Sequence, residues 1–364
     1  MVKKPTMDDI AKLAGLSKAT VSRTIHSPHL VRPEKRDRIR RIMESHHYVY
    51  DAIAGDLSRK RSSVIGLIIP TVKSSIFASS THGIQEHARE NGYSILIGNT
   101  NYNPDSEVEL VQLFQQRRVA GLVLTGITTG VKELVHHLTR AGIPCVVTWE
   151  TLDDPTINYV GFDNFKAART LSEYLIRLKH RRIGLIIGPY QKVERVRLRL
   201  EGFRAALEAH GIPFDSSLVM ERDYTLMEGK EAMARLLSRP DRPTAVFAAS
   251  DVLAMGALAA ARERGLRVPE DLSIGGFDDI DFAAYTDPPL TTVRVPAYEM
   301  GQLAMRVLLE LIQNEAAQVR QYCLDTDLII RGSCQEPAES ADGKRSSTAA
   351  SISKGRRGRG REGR

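Results

Sequence analysis

The feature that most constrains this chain is a long alternation of short β-rich runs and amphipathic helical stretches that starts at Val64. The β-rich runs are 64–70, 93–99, 121–125, 145–149, 159–162, 183–187, 245–249 and 272–277. Helical stretches such as 84–90, 108–116 and 167–178 lie between most of them. This alternation predicts the α/β class, in which right-handed crossovers connect parallel strands covered by helices.

The length of this region indicates two lobes rather than one. About 270 residues of alternation exceed what one hydrophobic core comfortably holds. Hydrophobic residues make up 42% of the chain, which is sufficient for sizeable cores. Ligands of open α/β sheets bind beyond the carboxyl ends of the strands. We therefore expect a small-molecule site in the cleft between two α/β lobes.

The first 49 residues follow a different pattern, with three short helical stretches and no β-rich run. Thr6 and Asp9 have the spacing of a capping box, in which a hydroxyl and an acidic side chain begin a helix. Three apolar residues at helical spacing then form one face: Ile10, Leu13 and Ala14. Gly15 provides the left-handed conformation that a tight turn after this helix requires.

Ser17 is placed to cap a second helix over 18–25, and two short helices joined through a glycine predict a helix-turn-helix. The second helix of that motif enters the DNA major groove N-terminus first. Its candidate base contacts are Lys18, Ala19 and Arg23, since Lys and Arg bond guanine and Ala meets the thymine methyl. Hydroxyls suited to phosphate oxygens belong to Ser17, Thr20 and Ser22. A small helical bundle with solvated charges is the alternative interpretation.

The charge distribution favours a polyanionic partner. The net charge is +7 overall, +7 in residues 1–62, +6 in residues 341–364 and −6 in between. An acidic body with two basic ends is typical of a protein that touches nucleic acid at its ends. Chance surface charge is the alternative. The segment from about Pro337 is rich in Ser, Gly, Ala and Arg, so we expect a disordered basic tail.

Other protein classes find little support in the sequence. No run reaches the 18–20 apolar residues of a membrane helix, and the N-terminus has no signal-peptide core, so we expect a cytoplasmic protein. The three cysteines, Cys145, Cys323 and Cys334, lack metal-ligand spacing and are expected to be reduced thiols. We expect no cofactor or metal, and no P-loop or H-E-x-x-H motif occurs.

Two further motifs need an explicit interpretation. Asp278, Asp279 and Asp281 lie close in sequence and leave open an enzyme with paired carboxylates, although a polar loop that binds sugar hydroxyls is the favoured interpretation. The G-x-G-x-x-G run at 358–363 has neither a preceding strand nor a following helix, so we reject a dinucleotide site there.

The A-x-x-A-G-[VL]-S-x-x-T-V-S-R core within residues 6–25 resembles the headpiece of the LacI/GalR family of repressors, and the resemblance extends over residues 5–335. It implies a three-helix helix-turn-helix headpiece followed by a two-lobed body like that of periplasmic binding proteins. The implied DNA-contacting positions are Thr6, Ser17, Lys18, Ala19, Thr20, Ser22, Arg23, His26 and Leu57. A third helix at 33–46 has Pro33 in its first turn, where the missing N–H is tolerated.

The resemblance also implies a hinge helix at 51–59 that folds on operator DNA and wedges Leu57 into the minor groove. This sequence departs from the family pattern at three positions. Gly55 weakens a helix by about 1 kcal/mol relative to alanine. Asp56 is acidic beside the anionic DNA, and His26 replaces the usual asparagine. These departures affect the strength and sequence of the preferred operator.

By the same resemblance, the effector contacts are Ile76, Phe77, Trp149, Glu150, Phe162, Asp163, Arg199, Tyr224, Ser250 and Asp278. Polar groups for hydroxyls and aromatic faces for C–H surfaces are the means by which a concave site holds a sugar. The segments 70–77, 103–105 and 161–165 are similar to the gluconate-operon-repressor branch. We therefore expect a sugar acid whose carboxylate is held by Arg199, with a neutral sugar or a sugar phosphate as alternatives.

Four segments are predicted: a headpiece at 1–49, a hinge at 50–62, an effector-binding and dimerisation body at 63–335 and a tail at 336–364. The expected protein is a homodimeric repressor of a carbohydrate operon, which a ligand in the cleft releases or tightens on DNA. Since the segment after Gly332 lacks a leucine heptad, no tetramer-forming coiled coil is expected. A sugar-binding protein without a DNA role is the alternative.

Overall fold

A computed structural model describes residues 5–50, 62–126, 131–314 and 318–338. The chain divides into two compact units between Ser62 and Ser63. The predicted hinge helix, with Gly55, Asp56 and Leu57, lies outside the described residues, and so does the predicted tail beyond residue 338.

Over its described residues, 5–50 and 62, the N-terminal unit contains three α-helices. They are α1 (Met7–Ala14), α2 (Lys18–His26) and α3 (Pro33–Ser45), with a 3-10 turn at Pro28–Leu30 between the last two. Each boundary has a local cause: Thr6 caps α1, Gly15 ends it with φ 59°, Ser17 caps α2 and Pro33 begins α3. The predicted third helix ends one residue early, with His46 as its C-cap.

A small core joins these helices. Its buried members are Ile10, Ala11, Ala14, Val21 and Ile39. Leu13, predicted as part of this apolar face, has a side chain that is 48% exposed, so that prediction is wrong. The buried face of α1 is centred on Ile10, Ala11 and Ala14, and helical geometry leaves position 13 at its margin.

In the part that the structure describes, the C-terminal unit contains two sheets of six strands. The strands are β1 (Val64–Ile69), β2 (Ser94–Asn99), β3 (Gly121–Thr125), β4 (Cys145–Thr148), β5 (Tyr159–Phe162), β6 (Ile183–Ile187), β7 (Val219–Glu221), β8 (Ala245–Ala248), β9 (Ser273–Asp278), β10 (Thr291–Arg294), β11 (Gln321–Leu324) and β12 (Asp327–Ile329). Their order is β11-β5-β4-β3-β1-β2 in the first sheet and β12-β10-β9-β8-β6-β7 in the second. Every pairing is parallel except that of β10 with β12.

Eight helices of the described ranges accompany these strands. They are α4 (Ser75–Glu90), α5 (Pro104–Gln116), α6 (Val131–Arg140), α7 (Asn164–Arg177), α8 (Glu194–Ala209), α9 (Leu226–Leu237), α10 (Asp251–Glu263) and α11 (Ala297–Gln313), with 3-10 turns at Ser216–Leu218 and Asp281–Tyr285. All eight predicted β-rich runs are strands, whereas β7, β10, β11 and β12 were not predicted.

The chain passes between the two lobes three times: after β5, after β10 and between β11 and β12. The helix α11 packs on α4 and on the first sheet, although it follows a strand of the second. One hydrophobic cluster contains residues of both lobes, and Phe162 of β5 lies 6.3 Å from Phe277 of β9 between ring centroids. The predicted two-lobed α/β architecture is therefore confirmed.

Within the described ranges, no helix is long and apolar enough to cross a membrane. The same ranges bring together no group of three or more side chains that could hold a metal ion. All three cysteines are free; Cys145 and Cys334 are buried and Cys323 is exposed.

Candidate functional site

The helix-turn-helix is built by local hydrogen bonds. The Thr6 hydroxyl accepts a hydrogen bond from the Asp9 backbone N–H at 3.3 Å, and the Asp9 carboxylate accepts one from the Thr6 N–H at 2.9 Å. Ser17 in turn accepts one from the Thr20 N–H at 3.2 Å. Each of the two helices therefore begins at a side-chain cap that its own local sequence supplies.

The structure gathers most of the predicted DNA contacts on one face of α2 and its cap. Ser17, Lys18, Ala19 and Arg23 are exposed, and Thr20 and Ser22 are half-buried. The opposite face turns Val21 and Thr24 into the core. Thr6, at the start of α1, is also exposed. His26 is the last residue of α2, and Leu57 lies outside the described residues.

The Lys18 ammonium bonds Asp8 at 2.8 Å, but both side chains are more than half exposed. Such a surface ion pair contributes little to stability and exchanges readily with other anions. The N-terminus of α2 thus presents a cation, two hydroxyls and the positive end of a helix dipole, an arrangement suited to phosphate groups and base edges.

In the body, the predicted aromatic contacts form a closed cluster at the carboxyl ends of the first sheet. The Trp149 ring lies 4.8 Å from Phe77 and 6.3 Å from Phe162 between centroids. All three are buried, as are Ile76 and Glu150. The Trp149 backbone is left-handed, with φ 77°. Its indole Nε1 is buried without a hydrogen-bond partner among the described residues.

Arg199 on α8 is held firmly by the second lobe. Its Nε donates to the Asn164 Oδ1 at 2.9 Å, and its Nη1 donates to the Ala249 carbonyl oxygen at 3.0 Å. Its guanidinium carbon lies 3.9 Å from the centroid of the Phe277 ring. Burial lowers the pKa of Arg199 from its usual value, opposed by the nearby Tyr224 and Asp278. Two of its three nitrogens are therefore bonded to protein.

Asp278 ends β9 beside this arginine. Burial raises the pKa of its carboxyl to about 7, although Arg199, a hydrogen bond from Ser250 and Arg195 all act to lower it. Ser250 also caps α10, since its hydroxyl accepts a hydrogen bond from the Val252 N–H at 3.3 Å. The structure thus brings Arg199, Ser250 and Asp278 together as one buried polar cluster.

Asp163, a predicted effector contact, also has a local structural role. It is the N-cap of α7, and its carboxylate accepts a hydrogen bond from the Lys166 N–H at 2.9 Å. The next residue, Asn164, is buried and connects the lobes, because its amide donates to the Trp149 carbonyl at 2.8 Å while its oxygen accepts from Arg199.

Three further residues were missed: Tyr102, Arg195 and Asp251. Tyr102 of the first lobe lies 5.5 Å from the predicted Tyr224 of the second between ring centroids. Arg195 precedes Arg199 by one helical turn on α8 and is as deeply buried, at 4% exposure. The i, i+4 spacing could have identified Arg195, since both side chains lie on one helix face. Asp251 accepts bonds from the Ile280 N–H at 2.8 Å and the Thr292 hydroxyl at 2.6 Å.

The three aspartates that could have belonged to an enzyme active site lie in separate environments. Asp278 lies in the polar cluster, Asp279 is paired with Arg294 at 2.8 Å and Arg331 at 2.7 Å, and Asp281 is exposed. The carboxylates therefore do not form one catalytic group.

Comparison with known proteins identifies both units. Residues 6–51 match the family described as bacterial regulatory proteins, lacI family, and residues 172–334 match the periplasmic binding protein-like domain. The HTH-type transcriptional repressor CytR of Escherichia coli (strain K12) is 36% identical over 328 residues, which cover 90% of this chain and 96% of CytR.

The chain belongs to the LacI family.

Two solved structures of the family agree with the fold. The lac repressor dimer bound to operator and the anti-inducer ONPF has a TM-score of 0.80 at 27% identity, covering 92% of this chain and all of that one. A transcriptional regulator CelR–cellobiose complex has a TM-score of 0.68 at 31% identity, covering 90% and 99%. This LacI-family protein is a DNA-binding transcriptional repressor, and the relatives are regulators rather than enzymes.

Proposed function

We propose that this repressor binds a pseudo-palindromic operator as a homodimer and that a sugar acid in the interlobe cleft controls its affinity for DNA. The exposed face of α2 supports the DNA contacts: Lys18, Ala19 and Arg23 meet base edges, while Ser17, Thr20 and Ser22, with Thr6 at the start of α1, meet phosphates. The proposed DNA contacts also include His26 and Leu57, whose side chains lie outside what the structure describes.

Exposed apolar side chains in both lobes support the dimer. Leu96 and Ile97 lie on the edge strand β2 and are 37% and 45% exposed, and Phe282 and Tyr285 on the Asp281–Tyr285 turn are 62% and 86% exposed. We propose that these two pairs belong to the subunit interface, since exposed apolar patches mark association surfaces. Two subunits would place two recognition helices at a fixed half-site spacing.

The single observation that carries the effector assignment is the buried polar cluster of Arg199, Ser250 and Asp278 beside an aromatic wall. Buried charges and hydroxyls next to apolar rings match a ligand that is both hydroxylated and anionic. The proposed effector contacts from the first lobe are Ile76, Phe77, Trp149, Glu150 and Phe162. Those from the second lobe are Asp163, Arg199, Tyr224, Ser250 and Asp278.

A sugar effector is also consistent with the cellobiose complex of the CelR relative. Assignment to the gluconate-operon-repressor branch rests on the similarity of segments 70–77, 103–105 and 161–165 alone. In this proposal, the second lobe supplies polar contacts from α7 and α8, and the first lobe supplies the aromatic wall. A ligand that touches both would alter the angle between the lobes and so the separation of the two DNA-binding units in a dimer.

The test is operator binding by the purified full chain to the DNA upstream of its own gene, at about 150 mM salt because phosphate contacts make affinity fall steeply with salt. A panel of sugars and sugar acids is added in turn. Loss of binding with one compound would identify it as an inducer, and tighter binding would identify it as a corepressor. Salt-insensitive binding, or none to any fragment, contradicts the proposed function.

A further inference from the structure

Two arginines on the same face of α8 have very different surroundings. Arg195 and Arg199 are one turn apart and equally buried, at 4% exposure each. Arg199 has two hydrogen bonds of 2.9 and 3.0 Å and a stacking contact with Phe277. Arg195 has one hydrogen bond, from its Nη1 to the Thr125 carbonyl oxygen at 3.5 Å, and no ion pair within the described part of the chain. The two guanidinium groups therefore differ in how much binding capacity remains.

Arg195 reaches across the cleft from the second lobe to the end of β3 in the first. Its Nη1 occupies the space beside Gly126, where an added Cβ would lie 1.9 Å away. It also lines a cavity at the carboxyl ends of β1 and β3 together with Thr100, Tyr102 and Glu107. The cavity measures about 10 Å³, close to the volume needed for one water. A sugar-sized ligand thus fits only if this cavity widens, and a withdrawal of Arg195 would widen it.

The bonding of this guanidinium favours such a movement. A hydrogen bond of 3.5 Å is at the long limit for N–H···O and contributes little. A buried guanidinium with five donors is strongly stabilised by a carboxylate or phosphate, which it binds through two parallel hydrogen bonds. Glu107 and Thr100, on the same cavity wall, are suited to hydroxyl groups of the same ligand. Arg199 cannot use its Nε edge in this way, because Asn164 occupies it.

We propose that Arg195 is the residue that selects an anionic effector: it leaves the Thr125 carbonyl and pairs with the carboxylate or phosphate of a hydroxylated ligand, while Arg199 positions the cleft. This assignment rests on the proposed effector role of the cleft. It moves the predicted carboxylate contact from Arg199 to Arg195.

The chain contains a suitable reporter. Trp149 is its only tryptophan and lies in the aromatic wall of the cleft, so its fluorescence reports on this site alone. The full-length protein is titrated with D-gluconate, D-glucose 6-phosphate and D-glucose, and with the equivalent acid, phosphate and neutral forms of other hexoses and pentoses. The carboxylate and phosphate series distinguish the two sources of the anion.

Arg195→Gln removes the charge and Arg195→Lys keeps it without the two-pronged geometry. Arg197→Gln is the matched control, because Arg197 is on the same helix but exposed and paired with Glu194 and Glu201. We expect R195Q to lower the affinity for the anionic ligand by about 10- to 100-fold. R195K should lower that affinity less, and R197Q should leave it unchanged. Affinity for any neutral sugar should stay within about twofold in R195Q.

Operator binding is measured on the same samples and separates the possible failures. The proposal is supported if R195Q binds operator with wild-type affinity and loses affinity only for the anionic ligand. An anion response that R195Q leaves intact, equal losses for anions and neutral sugars, or a wild-type response to neutral sugars alone would each overturn it while leaving the repressor function in place. A wild-type response to no anion also overturns it. If R195Q does not fold, the same comparison of operator, anion and neutral-sugar affinities is made with R195K.

Discussion

The headpiece and the cleft use polar side chains in opposite ways. In the headpiece, the Lys18 side chain is 59% exposed, and the proposed DNA contacts on α2 lie within a few residues of one another in the sequence. In the cleft, Arg195 and Arg199 are 4% exposed, and Asp278 reaches them from a strand about 80 residues further on. A DNA duplex can approach an exposed face, whereas a small ligand is recognised only where water is excluded. Each region therefore has its own determinants of stability and function.

The largest effect should come from the headpiece core. Ile39 of α3 is fully buried among Ile10, Ala14 and Val21, and Ile39→Ala removes about 2–5 kcal/mol of folding free energy from a unit too small to tolerate it. We expect operator affinity, measured by fluorescence anisotropy, to fall by about 10- to 100-fold. The Trp149 response to ligand should be unchanged.

Glu44→Ala is the matched control, because Glu44 is exposed on the same helix. It should leave operator affinity as in the wild type. A changed Trp149 titration in I39A would show that the two regions do not fold independently and would break the comparison between them.

The second prediction concerns pH and tests the buried character of the cleft. Because burial raises the pKa of Asp278 to about 7, the neutral form is present below that pH and the carboxylate above it. A carboxylate beside the ligand repels an anion, so anion affinity should fall by up to about 10-fold between pH 6 and pH 8. Asp278→Asn should remove this dependence. Isothermal titration calorimetry at several pH values provides the measurement.

The groups that face Asp278 determine the sign of this effect. Arg199 and Arg195 on α8 and the Ser250 hydroxyl lower its pKa, while desolvation raises it more. Asp251, Tyr102 and Tyr224 are electrostatically coupled to it. Since the folded protein holds this proton more tightly than the unfolded chain, the associated stability is full below pH 3.8 and is lost as pH rises through about 7. An anion affinity that does not change between pH 6 and pH 8 would contradict an ionisable Asp278 beside the ligand.

Sequence patterns predicted the headpiece and the main strands because the relevant interactions are local. The spacings of Thr6 with Asp9 and of Ser17 with Thr20 are enough to set the helix starts. Seven of the eight predicted runs are buried strands, and buried parallel strands are continuously apolar. The eighth, β2, is an exposed edge strand that is apolar at Leu96 and Ile97. Of the missed strands, β7, β11 and β12 are short edge strands with little burial, so their sequences lack that pattern. The fourth, β10, is buried, but Val293 is its only apolar residue.

The cleft was less predictable because its bonds join residues far apart in the chain. Nothing local distinguishes Asp163, which caps α7, from Asn164, which connects Trp149 to Arg199. Likewise Arg195 and Arg197 alternate along α8. The i, i+4 spacing places Arg195 on the face of Arg199, but the burial of that face is a result of tertiary packing. Two-residue differences on a helix place side chains on different faces, but which face is covered depends on the partner lobe.

The smallest effect separates structure from DNA contact at a single headpiece residue. Ser17 caps α2, and it is also a proposed phosphate contact. Ser17→Ala should lower headpiece stability by about 1 kcal/mol in thermal unfolding. Ser17→Asp retains a good cap but brings a negative charge towards the phosphate, so stability should stay unchanged while operator affinity falls about fivefold. If S17D instead binds operator as tightly as the wild type, Ser17 is a cap only, and the exposed hydroxyls of the headpiece would then act on its own backbone as Asp163 does in the body.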